Sequence, residues 1–277
     1  MVILLLGGTT EGREAARALA SRGWPVVVSV ATPYGAELAR CGFDGEVLVG
    51  RRDSSGFAAL IGERGVEVVV DATHPFAVEA RRNARRAAVQ CQVPYLRFTR
   101  PPEPLPAHPL IRLAPDFAAA ARLAAAHGPV IFLTTGSKTL PFFLPAARAA
   151  GRRVVARVLP EPEVIAACRE QGLLPRDIVA LQGPVTEELN RALFRAYGAT
   201  VVVTKESGGS GGQAAKIKAA LDLGIPLVVV RRPPEEPGSF YEAAELIKRV
   251  DKLIGGEGFG GNSGPRPRQP GGGGRSE

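Results

Sequence analysis

Continuous runs of Val, Leu and Ile recur along the chain at Val2–Leu6, Pro25–Val30, Glu46–Val49, Val66–Val70 and Pro94–Phe98. They return at Val130–Leu133, Val154–Val158, Ile178–Leu181, Val201–Val203 and Leu227–Val230. Between these runs apolar residues fall at helical spacing, as Ala15, Ala16, Leu19 and Ala20 do within Glu11–Ser21. Helices are also predicted over Pro75–Gln90, with Pro75 in the first turn, and over Ser239–Leu253. Apolar runs without polar alternation, separated by helices, predict parallel strands covered on both faces.

The pattern breaks twice. Residues 99–112 carry five prolines and read as a stiff, extended connection. Residues 255–277 are dominated by Gly and Pro and lack the apolar content to offset ordering entropy, so a disordered tail is expected. The fold class is therefore α/β, with two Rossmann-like, doubly wound parallel-sheet domains and a cleft between them. The expected division is 1–98 for a nucleotide-binding domain, 99–112 for the linker, 113–254 for a second domain on the substrate side, and 255–277 for the tail.

Composition narrows the function. The formal net charge of +8 calls for anionic partners. No basic stripe interleaved with aromatics and no nucleic-acid module is present, so a small polyanion is favoured over nucleic acid. No apolar run reaches the ~18 residues of a membrane span, and the apolar N-terminus lacks a basic region and a cleavage site. Cys41, Cys91 and Cys168 are far apart and odd in number, which argues against disulfides and zinc and for a cytoplasmic protein. His74, His108 and His127 have no metal-ligand spacing. With no heptad or long apolar edge in the sequence, a monomer is expected.

Candidate chemistry sits at strand ends. Gly7-Gly8-Thr9-Thr10-Glu11-Gly12-Arg13 joins the first strand to a helix, where backbone N–H groups meet phosphates. The dinucleotide fingerprint wants a third-position glycine where Thr9 stands, and Gly8 is placed to substitute. The second strand ends in Ser29-Val30-Ala31-Thr32, without the acid that holds an NAD ribose. Ser29 and Thr32 leave room for a 2′-phosphate, with Arg51-Arg52 nearby to supply charge, which favours NADP. After the fourth strand, Asp71-Ala72-Thr73-His74-Pro75 puts polar groups over the crevice, and Pro75 holds His74 extended.

These motifs, with Pro33-Tyr34-Gly35, Phe76-Ala77, Thr134-Thr135-Gly136-Ser137-Lys138, Arg157-Val158-Leu159-Pro160, Gln182-Gly183-Pro184 and Thr204-Lys205-Glu206-Ser207-Gly208, resemble the precorrin-6A reductase family in content and order. The similarity spans residues 2 to about 233, with Val185 where that family often has an aromatic. The resemblance implies NADPH-dependent reduction of one double bond of precorrin-6A, or its cobalt-bearing counterpart, to the 6B form in cobalamin synthesis. It implies a polycarboxylate tetrapyrrole as substrate and NADPH as cofactor.

Under it, Gly7, Gly8, Thr9, Thr10, Glu11, Gly12 and Arg13 hold the pyrophosphate. Ser29, Thr32 and Arg51 lie near the adenosine ribose, and Asp71, Ala72, Thr73 and His74 near the nicotinamide. Gly136, Ser137, Lys138, Gln182, Lys205, Ser207, Gly208 and Gly212 face the substrate, with Gly209 and Gly211 in the same loop. His74, Lys205 and bound water are the candidate proton donors. His74 enters on its ordinary pKa of ~6.5. Two other readings stand beside this one. A reductase of smaller carbonyls would want a Tyr-x-x-x-Lys pair, which none of the four tyrosines supplies. A non-catalytic NADP-binding sensor would leave the second crevice unexplained.

Overall fold

A computed structural model describes residues 2–255. Two sheets are present, and every strand pair in them is parallel. The first has five strands: β1 (Val2–Leu6), β2 (Val26–Val30), β3 (Glu46–Val49), β4 (Val66–Asp71) and β5 (Tyr95–Arg97), in the order β3-β2-β1-β4-β5. The second has six: β6 (Ile111–Ala114), β7 (Val130–Leu133), β8 (Arg153–Val158), β9 (Ile178–Ala180), β10 (Val201–Lys205) and β11 (Leu227–Val230), in the order β6-β11-β10-β7-β8-β9.

Strand periodicity divides each run between two cores. Ile3, Leu5, Val26, Val28, Val68 and Val70 face α1 (Thr10–Ser21) and α2 (Pro33–Arg40). Leu4, Leu6, Val27 and Val69 face α3 (Ser54–Arg64) and α4 (Val78–Gln90). In the second sheet Ile131, Leu133, Val154, Val201 and Val203 pack on α5 (Phe117–His127), α6 (Leu140–Ala149) and α7 (Pro162–Glu170). Phe132, Val155, Val202 and Val229 pack on α8 (Glu187–Ala196) and α9 (Gln213–Asp222). This two-sided burial is why the strands read as unbroken apolar runs.

Several boundaries differ from the sequence reading, most by one or two residues, and the larger differences have physical reasons. The proline-rich connection ends earlier than expected, because Ile111–Ala114 forms edge strand β6 against β11. Helix α4 starts at Val78 rather than Pro75. Residues 75–76 form a turn instead, in which Ala77 N–H donates to His74 O at 2.7 Å and Arg81 Nη2 donates to Pro75 O at 2.5 Å.

The last helix, α10 (Ala243–Ile254), was grouped with the second half but packs on the first. Its Leu246, Val250 and Ile254 complete the core shared with α1. Residues 231–242 carry the chain back to it. Phe240 pairs in parallel with Phe98, donating its N–H to Arg97 O at 2.8 Å, while Thr99 N–H donates to Phe240 O at 3.0 Å. The expected tail lies, from residue 256 onward, outside the described residues. Among the described residues no helix is long and apolar enough to cross a membrane.

Candidate functional site

Strand order locates the crevices. In the first sheet the chain runs outward one way from β1 and the other way from β4, so the switch point lies between the loops after these strands. In the second the same reversal falls between β7 and β10. Ligands of doubly wound sheets bind at such points, outside the carboxyl ends of the strands. Here the two switch points meet. Lys205 Nζ, at the end of β10, lies 5.5 Å from the Phe76 ring and 5.7 Å from that of Phe117. His74, Phe76, Phe117 and Phe142 form a chain of ring contacts from the first half into the second, with centroids 5.7 to 5.8 Å apart.

The glycine turn after β1 is built for close approach. Gly8 has φ +112° and open space where a side chain would project. A methyl group on Gly12 would sit 3.2 Å from Ala72 Cβ and 3.3 Å from Thr9 Oγ1, so glycine is what lets α1 close on the strand end. The Thr9 hydroxyl is fully committed, accepting from Gly12 N and donating to Ala72 O, both at 2.9 Å. Thr9 therefore stitches the two loops of the switch point together. Thr10 is exposed at the mouth, and Arg13 Nη2 donates to its hydroxyl at 3.1 Å. Glu11 is held by Arg100, with Nη2 3.3 Å from Oε2.

At the end of β2, Arg52 lies against Ser29. Its Nη1 donates to Ser29 Oγ at 3.0 Å and to Gly50 O at 3.2 Å. Arg51 is exposed, and its charge is felt by Lys138 of the second half. Thr32 caps α2 by accepting from Gly35 N at 3.0 Å.

Asp71 is fully buried. Its Oδ1 accepts from Thr73 N at 2.9 Å and Arg97 Nη1 at 3.2 Å, and its Oδ2 from the Tyr95 hydroxyl at 2.5 Å. Arg97 continues to Glu235 through Nε at 3.2 Å, and Arg81 meets the same carboxylate at 3.3 Å. This network fixes the loop 71–74 from below, so Asp71 acts on a ligand only through its neighbours. Above it the Thr73 hydroxyl is buried without a hydrogen-bond partner. His74 Nδ1 accepts from Phe76 N at 3.2 Å, which leaves Nε2 to carry the ring proton. Burial, then Lys205, Arg100, Lys216 and Arg97, push its pKa down to about 3. The imidazole is therefore neutral in the unliganded site. An imidazolium donor with an ordinary pKa does not describe it.

Across the cleft the loop after β10 turns through Gly208 (φ +70°) and Gly212 (φ +64°) into α9. Gly208 N–H donates to Gln213 Oε1 at 3.1 Å. The side chain of exposed Gln182 belongs to the loop whose Pro184 lies against Gly212. Gly136, with φ +84°, opens the loop after β7, and Thr139 Oγ1 donates to its carbonyl at 3.0 Å. Ser137 is half-buried and Lys138 exposed at that loop's tip.

The sequence reading gave no site role to Arg97, Arg100, Arg157, Lys216, Phe76 or Phe117. Lys216 is buried in α9, and its pKa falls to about 7 from burial and then from Arg157, Lys205 and Arg100. Burial, then Lys138, lowers Lys205 to about 8, and burial lowers Arg157 to about 10. None of the three forms an ion pair among the described residues. A lysine one turn after a glycine loop and an arginine ending a strand were the available signals.

A family model described as precorrin-6x reductase CbiJ/CobK matches residues 2–251. The chain belongs to this family. Relatives include the cobalt-precorrin-6A reductase of Priestia megaterium, 39% identical over 251 residues, covering 89% of this chain and 96% of that protein. The cobalt-precorrin-6A reductase of Salmonella typhimurium is 39% identical over 233 residues, covering 83% and 87%. The solved structure of CobK precorrin-6A reductase superposes with a TM-score of 0.75 at 29% identity, covering 92% of this chain and 98% of that one. Family membership thus covers both sheets, both switch points and the return of the chain to α10.

Proposed function

We propose that this chain is an NADPH-dependent oxidoreductase that reduces one carbon–carbon double bond of precorrin-6A, or of its cobalt-bearing form, in cobalamin synthesis. Family membership supports the reaction class. The observation that carries the division of labour is the apposition of two unlike switch points. One has a glycine turn without an acid at the end of β2. The other gathers Lys205, Lys216 and Arg157, which have no carboxylate partners among the described residues.

The first site fits NADPH. The open backbone at Gly8 and the N-terminus of α1 would hold the pyrophosphate. Arg52, already poised on Ser29, would meet a 2′-phosphate. The unpartnered Thr73 hydroxyl and His74 Nε2 would face the nicotinamide side. Bound there, NADPH supplies the hydride. The protein's own work is placement. Lys205 and the aromatic row set the macrocycle over the cleft, and its carboxylates meet the unpaired cations. One ring carbon takes the hydride and its neighbour takes a proton. Lys205, in its protonated form, and water are the donors the site offers. A cytoplasmic location and a monomeric state complete this reading.

The test is oxidation of NADPH at 340 nm with precorrin-6A and its cobalt form supplied in turn. Turnover with either macrocycle, and much weaker turnover with NADH, is expected. The preferred macrocycle names the route. No turnover with either, despite NADPH binding, would sink the proposal. Arg52→Ala should narrow the gap between NADPH and NADH, and an unchanged gap would place the 2′-phosphate elsewhere.

A further inference from the structure

Among the described residues, two buried polar groups of the cleft lack hydrogen-bond partners, and both lie beside one turn. Ser207 is 4% exposed and its Oγ makes no hydrogen bond. Arg100 is 8% exposed, and while Nη2 pairs with Glu11, Nη1 has no partner. Both atoms point at Gly211. A methyl group there would collide with Ser207 Oγ and lie 3.6 Å from Arg100 Nη1. Gly208 is required by the same approach, since a methyl on it would stand 2.9 Å from Arg100 Cδ. Lys216, one turn into α9, is 6% exposed and forms no ion pair among the described residues. Arg157 is close enough to it to be felt electrostatically, and its own Nη1 donates to the Asn190 amide oxygen at 2.7 Å.

Burying donors and cations together without an anion is costly, because each loses its hydration unpaired, and an oxyanion would relieve that cost. We propose that Arg100 Nη1 and Ser207 Oγ form an oxyanion subsite at the 208–212 turn, with Lys216 of the helix that follows supplying charge, and that it takes one carboxylate arm of the macrocycle. The proposal rests on the function given above and adds to it the depth and the donors of one specificity contact. Lys205, at the cleft surface, contacts the ring system beside the aromatic row. The subsite below it selects for an anionic arm long enough to reach past the turn. Arg100 joins this subsite to the cofactor side, since its other nitrogen holds Glu11 at the start of α1. A phosphate of NADPH shares the chemistry of a carboxylate, so the test must separate the two sources.

Full-length wild type, Lys216→Met and Ser207→Ala would be compared in three measurements. These are the Kd for NADPH, the KM for the macrocycle, and the melting temperature in sodium sulfate against sodium chloride of equal ionic strength. For Lys216→Met the macrocycle KM should rise about tenfold, the scale of one charged hydrogen bond. NADPH affinity should hold, and the sulfate-specific rise in melting temperature should shrink. Ser207→Ala should move the same quantities less. Equal weakening of NADPH binding would overturn the assignment in favour of a cofactor phosphate. Unchanged KM together with an unchanged sulfate response would show that no anion sits there. If wild type turned over neither macrocycle, the proposed function would fail. A sulfate response lost in Lys216→Met would still uphold an oxyanion subsite.

Discussion

Both oxygens of Asp71 are occupied by Tyr95, Arg97 and the Thr73 amide, and the carboxylate has no exposed surface. Asp71→Asn would strand the Arg97 guanidinium, and breaking one side of a buried pair costs on the order of 3 kcal/mol. Urea denaturation should show that loss, and a change under about 0.5 kcal/mol would mean that Arg97 is held by Glu235 alone. His74 gives a second prediction. Because burial and four cations hold its pKa near 3, its ring nitrogens should keep neutral chemical shifts from pH 8 down to about pH 5. Protonation between those limits in the free protein would restore it as an acid. The sequence pointed to His74 and Asp71 through the strand-end motif, but could not give the charge state of His74. Charge state depends on Lys205, Lys216 and Arg100, which are distant in sequence. Lys216 escaped notice for a related reason: a lysine in an Ala-rich helix reads as solvated until the neighbouring sheet is placed over it.

Among the elements, α1 and its glycine turn show how tightly a helix is pressed against a strand end. Gly12→Val would push three carbons into a space that leaves 3.2 Å to Ala72 Cβ. It should cost about 1–3 kcal/mol by overpacking and abolish NADPH binding. Retained affinity in a destabilised variant would place the cofactor away from this turn. The strands themselves were legible because each is buried on both faces and so lacks polar alternation. Strand β6 was not, because it follows a run of prolines and is too short to show a period. The destination of α10 was not legible either. Its apolar stripe of Leu246, Val250 and Ile254 fits either sheet, and only the crossing segment 231–242 decides which one it covers.

At the scale of the molecule, the unpaired cations set a pH dependence with a definite sign. Lys216 and Lys205 have folded pKa values near 7 and 8 against the 10.5 of an ordinary lysine, so between these limits the unfolded chain binds more protons. Their contribution to stability therefore rises with pH from about 7 towards 10.5. Urea melts at about pH 7 and pH 9.5 should show Lys216→Met gaining stability over wild type at the lower pH and losing that advantage at the higher. The opposite order would mean that Lys216 is paired in the free protein. The α/β class and the two parallel sheets were readable from the doubled strand–helix rhythm and the proline break. The second crossing was not, and it makes the halves interdependent.

That second crossing also orders the birth of the molecule. A chain leaving the ribosome completes all five strands of its first sheet early, yet the face that α10 covers stays bare until residues near Ile254 emerge. The second sheet, though made later, has its helices in hand sooner. The half that starts first should thus mature last. Trp24, the chain's only tryptophan, reports the event directly, because its Nε1 donates to Asp251 of α10 at 2.9 Å.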